Sequence, residues 1–446
     1  MTVSLLALMR EPRVATAGSV VALLLVAGLD LPGPIAIACI AVAILVALIV
    51  GPANAVGAVA ALLPLVFFTA RVGGTRWGLL ELGLICCAAA SAGEIARRWL
   101  AHRGEWSIMD LLRPIDLTVV AGALVVVGLI SLEWLADERS SASSRRELRR
   151  IVVEPLIVIV AVRLSVLDDV RRLVARCLAL AGVIVSAIAF GQVGLRSSGV
   201  EVGAVFRPIG TYPHPNNLAL YLERVLWVPM ALASSRVSSR IAVGGTGVIG
   251  LACLATLSRG AIVAVVLGGI VWFTLSRRRP PWLVLWASIP VAAGSVLLAR
   301  LGGDGTESLD ARGTIWRSSA EMLRDYPLTG IGIDQFYQLY GTRYVDPSGW
   351  GERYTSHPHN VVLDFWLQLG VAGLLLLAGI VWLAARRARA IRIGRGDPLG
   401  AAMIAGLVGG LAHGMLDNGF FLPDLATFLW LTLAMSSPLA ARSTAP

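Results

Sequence analysis

The chain has 446 residues, 57% of them hydrophobic and 15% charged, and its mean hydropathy is +0.76. Because soluble proteins carry about 25% charged residues, this composition excludes an ordinary cytosolic enzyme, a disordered chain and a secreted disulfide scaffold. The net charge of +10 comes from 38 basic residues, all arginine, against 28 acidic ones. The absence of lysine does not require a functional explanation, because a GC-rich genome favours arginine codons. Nucleic acid is not expected as a partner, whereas phospholipid head groups or a phosphorylated substrate are.

Apolar windows long enough to cross a membrane predict an all-α polytopic protein with about fourteen helices, or twelve if short ones are miscounted. The first window is interpreted as a span and not as a removed signal peptide, and the whole chain, 1–446, as one integral membrane domain. The predicted spans are 14–30, 33–50, 53–70, 77–95, 116–136, 151–167, 174–194, 214–234, 241–257, 260–276, 281–299, 360–384, 398–416 and 420–438.

Arginine-rich loops set the expected orientation. The loops at 96–104, 163–176, 277–279 and 386–395 fall on one side, which is then cytoplasmic, with both termini inside. The segment 300–358 falls on the opposite side as one large external, periplasmic loop, with eight acidic residues against six arginines. Loops of this length are usually functional, so we expect the chemistry outside the membrane.

The loop at 137–150 is expected on the same outer side, although it carries five arginines, Arg146 among them. One interpretation is a miscounted span, which would place this loop inside. The other is that external arginines are kept there because a polyanionic ligand needs them.

Histidines supply a candidate base at the predicted outer face. His359 stands at the start of a span with Asn360 beside it, and His214, His357 and His413 fall on the same side. Imidazole exchanges protons near neutral pH, so His359 suits a general base. A helix-cap histidine at the lipid head groups is the alternative interpretation.

Four arginines, Arg207, Arg259, Arg312 and Arg317, are expected at the same face. Arg259 lies between two apolar runs with almost no loop, so it either faces the interior of the bundle or snorkels to head groups. Converging guanidinium groups would bind a pyrophosphate in forked geometry. Arg312 and Arg317 fall on a helix predicted over 309–324, whose apolar face carries Ile315, Trp316, Ala320 and Leu323. No sequence pattern typical of a metal site occurs, and the five cysteines lie inside apolar segments without metal-binding spacing.

In order along the chain, four motifs make residues 115–385 resemble the superfamily of O-antigen ligases and Wzy-type O-antigen polymerases, which are bacterial membrane glycosyltransferases. The motifs are RPIGTYPHPNNLALYL (207–222), LSRGAIVAVV (257–266), LDARGTIWRSSAEMLRDYPLTGIGIDQF (309–336) and HPHNVVLDFWLQLGVAGLL (357–375). The region 115–385 is accordingly taken as the catalytic core.

This resemblance implies a GT-C-like helical fold in the bacterial inner membrane, working without metal or cofactor in the biosynthesis of polysaccharide or lipopolysaccharide. Such enzymes transfer a glycan from undecaprenyl pyrophosphate to a hydroxyl of a glycan or glycolipid acceptor on the periplasmic side. By motif position Arg207, Arg259 and Arg312 would hold the pyrophosphate, and His359 would act on the acceptor. The predicted catalytic residues are His359 and Arg259, and the predicted substrate-binding residues are Arg207, Arg312, Arg317, Asn360, His214 and Arg146.

Three questions stay open at the level of sequence. Ligase and polymerase differ in the acceptor, which no motif identifies. The loop 341–356 matches no family pattern and is a candidate for acceptor choice, and His214 stands where relatives often have a small residue or asparagine. The alternative from another class is a flippase for lipid-linked oligosaccharides, which would carry ionisable residues along a central cavity.

Overall fold

The computed structural model describes residue 20 and residues 33–72, 75–101, 107–137, 140–202, 205–233, 239–276, 307–394 and 397–436. The predicted spans at 281–299 and, apart from residue 20, at 14–30 lie outside the described residues. In chain order the helices are α1 Gly33–Val50, α2 Pro52–Leu62, α3 Leu79–Ala101, α4 Ile115–Ser131, α5 Ser141–Glu147, α6 Ile157–Arg163, α7 Leu167–Leu195, α8 Pro215–Val225, α9 Val228–Leu232, α10 Ser239–Ala255, α11 Arg259–Ser276, α12 Glu307–Asp325, α13 Phe336–Leu339, α14 Val361–Ile393, α15 Pro398–His413 and α16 Pro423–Met435.

Four of the described helices, α3, α7, α11 and α14, are long and apolar enough to cross a membrane. Shorter apolar helices of 10–17 residues pack between them, α15 and α16 among these. The chain is therefore an all-α polytopic membrane protein, which confirms the predicted fold class. The total number of spans stays a prediction.

Two small antiparallel hairpins interrupt the helices and were not predicted. Strand β1 (Thr69–Val72) pairs with β2 (Thr75–Gly78), and β3 (Gly199–Val202) pairs with β4 (Val205–Pro208). The predicted span at 53–70 is consequently wrong at its end, because α2 stops at Leu62 and a short 3₁₀ turn leads into β1.

Prolines break two predicted spans into pieces. The window 151–167 is not one helix: a π turn over Leu148–Val153 and a 3₁₀ turn over Glu154–Leu156 precede α6. The window 214–234 is divided into α8 and α9, with Pro229 in the first turn of α9. Proline has no N–H to donate and its ring clashes with the preceding turn, so a continuous helix is disfavoured at both places.

Two helices are longer than the hydropathy windows. Helix α7 begins before its window and includes Asp169, and α14 continues through the arginine-rich stretch that was expected to be a loop. Both extensions bring charges that are paired in the structure, since Arg387 forms an ion pair with Asp116 and Arg172 with Asp169. Paired charges at a helix end can remain helical because the charged heads reach the polar zone.

Helices α11 and α15 pack closely against each other. A Cβ atom on Gly409 would lie 2.6 Å from the carbonyl oxygen of Ala264, and one on Gly268 would lie 3.0 Å from that of Ala405. Small residues let the two backbones approach closely. Lipid is as apolar as a helix surface, so no hydrophobic effect drives helices together in a membrane, and close packing of this kind stabilises their association instead.

The described part of the predicted external segment forms a small unit with its own core. Helix α12 confirms the helix predicted at 309–324, and Ile315 and Leu323 are buried as expected. Ala320 is exposed, so its place on the apolar face was wrong. Trp316 is half-buried and donates a hydrogen bond from its indole nitrogen to the carbonyl oxygen of Pro358 at 3.0 Å.

Backbone hydrogen bonds attach this unit to the bundle. Ile331 N–H donates to the carbonyl oxygen of Leu367 at 2.6 Å, beside a kink where Gly370 has φ 66°. The basic segment α5 packs on the same unit, with the Ser144 hydroxyl donating to the carbonyl oxygen of Ile333 at 2.7 Å. The two polar segments therefore lie at the same end of the bundle, as the predicted span count requires.

Candidate active site

A polar group at this end of the bundle is centred on the carboxylate of Asp417, in the loop between α15 and α16. One carboxylate oxygen accepts from His357 Nε2 at 3.2 Å and from His359 Nδ1 at 3.3 Å. The other oxygen accepts from Asn216 Nδ2 at 2.9 Å. Asp417 is only 3% exposed, so these polar contacts replace the water that a buried carboxylate needs.

The start of α14 fixes the position of His359. The Asn360 side chain caps this helix, accepting from the backbone N–H groups of Val362 and Leu363 at 3.0 and 3.1 Å. His359 precedes the cap in a left-handed conformation, with φ 51°. The alternative of a helix-cap histidine is therefore wrong, because the capping role belongs to Asn360.

The same helix start is tied to the loop that carries Asp417. Val361 N–H donates to the carbonyl oxygen of Gly414 at 2.6 Å, and Asn360 Nδ2 donates to that of Met415 at 3.1 Å. These bonds hold His359 next to Asp417, although the two residues are far apart in the chain.

Arg207, on β4, is joined to the same group through Asn216. Its Nε donates to the carbonyl oxygen of Thr256 at 2.7 Å, and its terminal nitrogen donates to Asn216 Oδ1 at 3.0 Å. Asn216 in turn donates to Asp417. Only two side chains, Asn216 and Asp417, therefore separate the guanidinium group of Arg207 from the imidazole of His359.

The positive charges of Arg259 and Arg312 lie close enough to act on Arg207. The pKa of Arg207 is lowered by burial and by the charges of Arg259 and Arg312. Arg259 is the first residue of α11, directly after a turn that begins with Thr256, and Arg312 lies on α12. Three elements that are remote in sequence thus bring like charges to one place, an arrangement that a polyanion would stabilise.

Asp417 gives its two histidines different protonation behaviour. Burial lowers the pKa of His359, and the nearby charge of His357 lowers it further, against the effect of Asp417. Burial opposes protonation of His357 as well, but the hydrogen bond and charge of Asp417 outweigh it and raise the pKa of that histidine. The two histidine partners hold the pKa of Asp417 well below its usual range, although burial acts in the opposite direction.

This arrangement suits His359 to accept a proton. Its Nδ1 faces the ionised carboxylate, so the neutral ring carries its hydrogen on Nδ1 and leaves a lone pair on Nε2. A histidine with a lowered pKa is mostly neutral at pH 7, the form that a general base requires. His357, with its raised pKa, is the partner that shares the charge of Asp417.

Among the described residues, His357, His359 and Asp417 are also the set that could hold a metal ion. Their ligand atoms lie within 4.8 Å of one another. Two features of this cluster are unfavourable for binding a divalent ion. The pKa of His357 is raised, which favours the imidazolium form that cannot bind a metal, and the positive charge of Arg312 acts on both rings.

Three other predicted residues have different surroundings. His214 is exposed and caps α8, its Nδ1 accepting from Asn216 N–H at 3.2 Å. Arg317 is exposed, donates to the Thr314 hydroxyl at 3.1 Å, and its charge acts on Asp346. Arg146 is exposed on α5. His214 therefore borders the Asp417 group, while Arg317 and Arg146 lie on the surrounding surface.

Sequence reasoning missed the residue that organises the group. Asp417 and Asn216 were not singled out, and His357 was noted on the outer face without a role. The available signal for Asp417 was its position, since it is an acidic residue directly after an apolar helix in a region predicted to lie at the outer face. Its histidine partners are 58 and 60 residues away, so no local spacing connects them.

Comparisons with known proteins agree with the motifs. Residues 245–378 match the family model described as O-antigen ligase, a range that contains Arg259, Arg312 and His359 but ends before Asp417. The chain is also similar to the O-antigen ligase of Salmonella typhimurium strain LT2, with 30% identity over 156 residues. This alignment covers 29% of the chain and 35% of the relative, so the chain matches about a third of that protein's length. Both findings confirm the resemblance to the O-antigen ligase superfamily.

Proposed function

We propose that the protein is a membrane glycosyltransferase that moves a glycan from a polyprenyl pyrophosphate, undecaprenyl pyrophosphate in bacteria, to an acceptor hydroxyl. The observation that carries this proposal is the convergence of Arg207, Arg259 and Arg312 beside the pair formed by His359 and Asp417. The partial match to an O-antigen ligase supports the same class of reaction.

The arginines account for the donor side of the reaction. A pyrophosphate leaving group gains negative charge as the bond to the sugar breaks, and guanidinium groups stabilise that charge in bidentate geometry. Arg207 and Arg259 enter the group from turns at the ends of apolar elements, so they reach a phosphate held at the membrane surface while the prenyl chain stays in lipid. Metal-independent catalysis follows from this proposal, because the arginines take the role of a cation.

His359 accounts for the acceptor side. The acceptor oxygen forms a bond to the anomeric carbon, and its proton passes to His359 Nε2. The bond between that carbon and the phosphate oxygen breaks, and its electron pair leaves with the polyprenyl pyrophosphate. Asp417 keeps the ring in the tautomer that accepts this proton and stabilises the imidazolium that forms, as a buried carboxylate does for a catalytic histidine in general.

The acceptor decides between a ligase and a polymerase. A ligase transfers the glycan to a different glycolipid, whereas a polymerase adds it to another lipid-linked copy and lengthens the chain. The face proposed for the reaction is the periplasmic one, because the arginine-rich loops, which are typical of the cytoplasmic side, lie at the opposite end of the predicted spans.

The test is transfer by the purified protein in liposomes, supplied with the host's lipid-linked glycan. The expected result is release of undecaprenyl pyrophosphate together with a glycan product whose mass distinguishes transfer to a glycolipid from chain growth. His359→Ala should lower turnover by at least about 100-fold, because it removes the general base. Movement of intact lipid-linked glycan across the bilayer without release of pyrophosphate would instead identify a flippase.

Arg259→Ala should lower turnover in the same assay, because it removes a guanidinium group that stabilises the leaving pyrophosphate. Arg172→Ala is its matched control. Arg172 is exposed, pairs with Asp169 at 2.7 Å, and lies in the first turns of α7, at the other end of the bundle. Its replacement should leave turnover within about twofold of the wild type, as surface ion pairs contribute little. Full activity of both His359→Ala and Arg259→Ala would contradict the proposed function.

A further inference from the structure

A second polar chain lies buried directly behind Arg259. The Ser258 hydroxyl is 3.2 Å from His413 Nε2, and His413 Nδ1 is 2.8 Å from Glu223 Oε2. The exposed fractions of these three residues are 5%, 1% and 1%. Neither the family motifs nor the proposed reaction assigns a role to His413 or Glu223.

The order serine, histidine, acid is that of a nucleophilic triad, but its burial favours another use. A nucleophile must reach its substrate, and these side chains are covered by α8, α11 and α15. Nδ1–H of His413 donates to Glu223, so its Nε2 accepts the hydroxyl hydrogen of Ser258. These hydrogen bonds therefore fix the orientation of the Ser258 side chain, which stays buried.

Ser258 controls how α11 begins, and Arg259 is the first residue of that helix. The carbonyl oxygen of Ser258 accepts the first helical hydrogen bond, from Ile262 N–H at 3.3 Å. Its own N–H donates to the Thr256 hydroxyl at 3.3 Å, and Leu257 between them has φ 53°. The turn is thus held in a conformation that non-glycine residues rarely adopt. This conformation sets the direction in which the Arg259 side chain leaves the backbone.

Gly260, on the other side of Arg259, leaves room for the same histidine. A Cβ atom at this position would lie 2.0 Å from Cδ2 and 2.4 Å from Nε2 of His413. The ring therefore rests on the backbone of the first helical turn, and any side chain there would push it away from Ser258. His413 contacts the residues on both sides of Arg259.

A buried arginine anchors the far side of this hydrogen-bonded series of Ser258, His413 and Glu223. Arg224 lies 3.5 Å from the second carboxylate oxygen of Glu223, and it donates to the carbonyl oxygen of Gly419 at 3.2 Å. Gly419 belongs to the loop that carries Asp417, so this anchor reaches the base side of the candidate site as well. A buried carboxylate with partners on both sides holds its position well.

We propose that His413 is a positioning residue that sets Arg259 for a pyrophosphate ligand, acting through Ser258 and the backbone at Gly260, with Glu223 fixing its ring. The carbonyl oxygen of Thr256, in the same turn, accepts from Arg207 Nε, so the turn sets the spacing of both guanidinium groups. This inference rests on the proposed function, since it assigns a role on the donor side of that reaction.

The test compares donor and acceptor kinetics of Ser258→Ala, Ser258→Thr and His413→Ala in the full-length protein. Ser258→Ala and His413→Ala should raise KM for the lipid-linked donor about tenfold and leave KM for the acceptor within twofold. Ser258→Thr keeps the hydroxyl and should restore the donor KM. Ser186→Ala is the matched control, because Ser186 is also fully buried, on α7, and bonds a backbone carbonyl within its own helix at 2.7 Å.

A double variant separates positioning from general damage. Gly260→Ala should weaken donor binding in the wild type by displacing the ring, but should add little to His413→Ala, in which the ring is absent. An equal effect of Gly260→Ala in both backgrounds would overturn the inference, as would unchanged donor KM in Ser258→Ala.

Binding of geranylgeranyl pyrophosphate to the same variants distinguishes the two levels of the proposal. Wild-type protein that neither binds this probe nor transfers glycan contradicts the proposed function itself. Wild-type protein that binds it, with His413→Ala binding equally well, contradicts only the role of His413. Weaker binding by His413→Ala with an unchanged melting temperature supports the positioning role.

Discussion

Two groups of arginines, one at each end of the helical bundle, are held in opposite ways. At the end where α14 finishes and α7 begins, carboxylates lie beside the guanidinium groups: Arg386 and Arg387 share Asp116 at 2.9 and 3.2 Å, and Arg172 pairs with Asp169. At the end where α14 begins, Arg207 instead has the like charges of Arg259 and Arg312 as neighbours, and they lower its pKa.

Under the proposed function, this difference separates arginines that stabilise the fold from arginines that bind the donor. Paired guanidinium groups are neutralised within the protein, so they offer little to an external anion. Like charges held close together raise the energy of the folded protein, and a bound polyanion lowers it. One backbone carbonyl, that of Thr256, and the Asn216 side chain hold Arg207 in place without cancelling its charge.

Asp417→Asn is expected to lower kcat by about 10³-fold, because the amide cannot hold His359 in the required tautomer or stabilise its charged form. Single-turnover rates of transfer measure this effect. The melting temperature of the variant in detergent is the control, since a rate that falls only in proportion to unfolding would exclude a catalytic effect.

Asp116→Asn is expected to act on stability alone. It leaves the buried Arg387, which is 2% exposed, without its carboxylate and should lower the free energy of unfolding by about 3 kcal/mol. Denaturant unfolding of the protein in detergent measures this loss. The folded fraction should retain wild-type kcat, and a fall in kcat would break the functional separation of the two ends.

Arg259→Lys should lower kcat/KM for the donor about tenfold. Lysine keeps the charge but loses the planar fork that binds two phosphate oxygens. Arg172→Lys, at the opposite end, should have no measurable effect in the same steady-state assay. Equal activity of both lysine variants would show that the fork of Arg259 is not used.

His357→Gln is expected to change the pH profile more than the rate. The base form of His359 is lost as pH falls through its lowered pKa, so activity declines on the acid side. Removing the charge of His357, which lowers the pKa of His359, should move this acid limb to higher pH. A limb that stays in place or moves downward would contradict the assignment of His359 as the base.

Chelation by EDTA is expected to leave turnover unchanged, because the arginines and not a metal stabilise the leaving group. The control is re-addition of Mg²⁺ or Zn²⁺, which should give no increase. Loss of activity with EDTA and its recovery with a metal would assign the cluster of His357, His359 and Asp417 to metal binding.

Hydropathy was sufficient to predict the fold class and most helices, since a membrane imposes long apolar segments on the sequence. It did not predict the hairpin at Thr69–Gly78, because most of its residues are polar or glycine and fall between two apolar windows, and hydropathy does not register strand pairing. It also missed the break at Pro155, where proline outweighs an apolar composition. These local errors follow from backbone constraints that an averaged window does not register.

Motif order predicted the arginines and His359, but not the residue that connects them. Asp417 acts through contacts with His357, His359 and Asn216, which come from two distant parts of the chain. Likewise Gly260 has a meaning only beside His413, which approaches it from α15. Tertiary contacts of this kind leave no spacing in a single sequence.

The most direct test of the account is a titration of geranylgeranyl pyrophosphate against the wild type, Arg259→Ala and Arg172→Ala in detergent. We predict saturable binding by the wild type, at least about tenfold weaker binding by Arg259→Ala, and unchanged binding by Arg172→Ala. Absence of binding by the wild type, or equal weakening in both variants, would contradict the claim that the arginines at one end are arranged for a pyrophosphate.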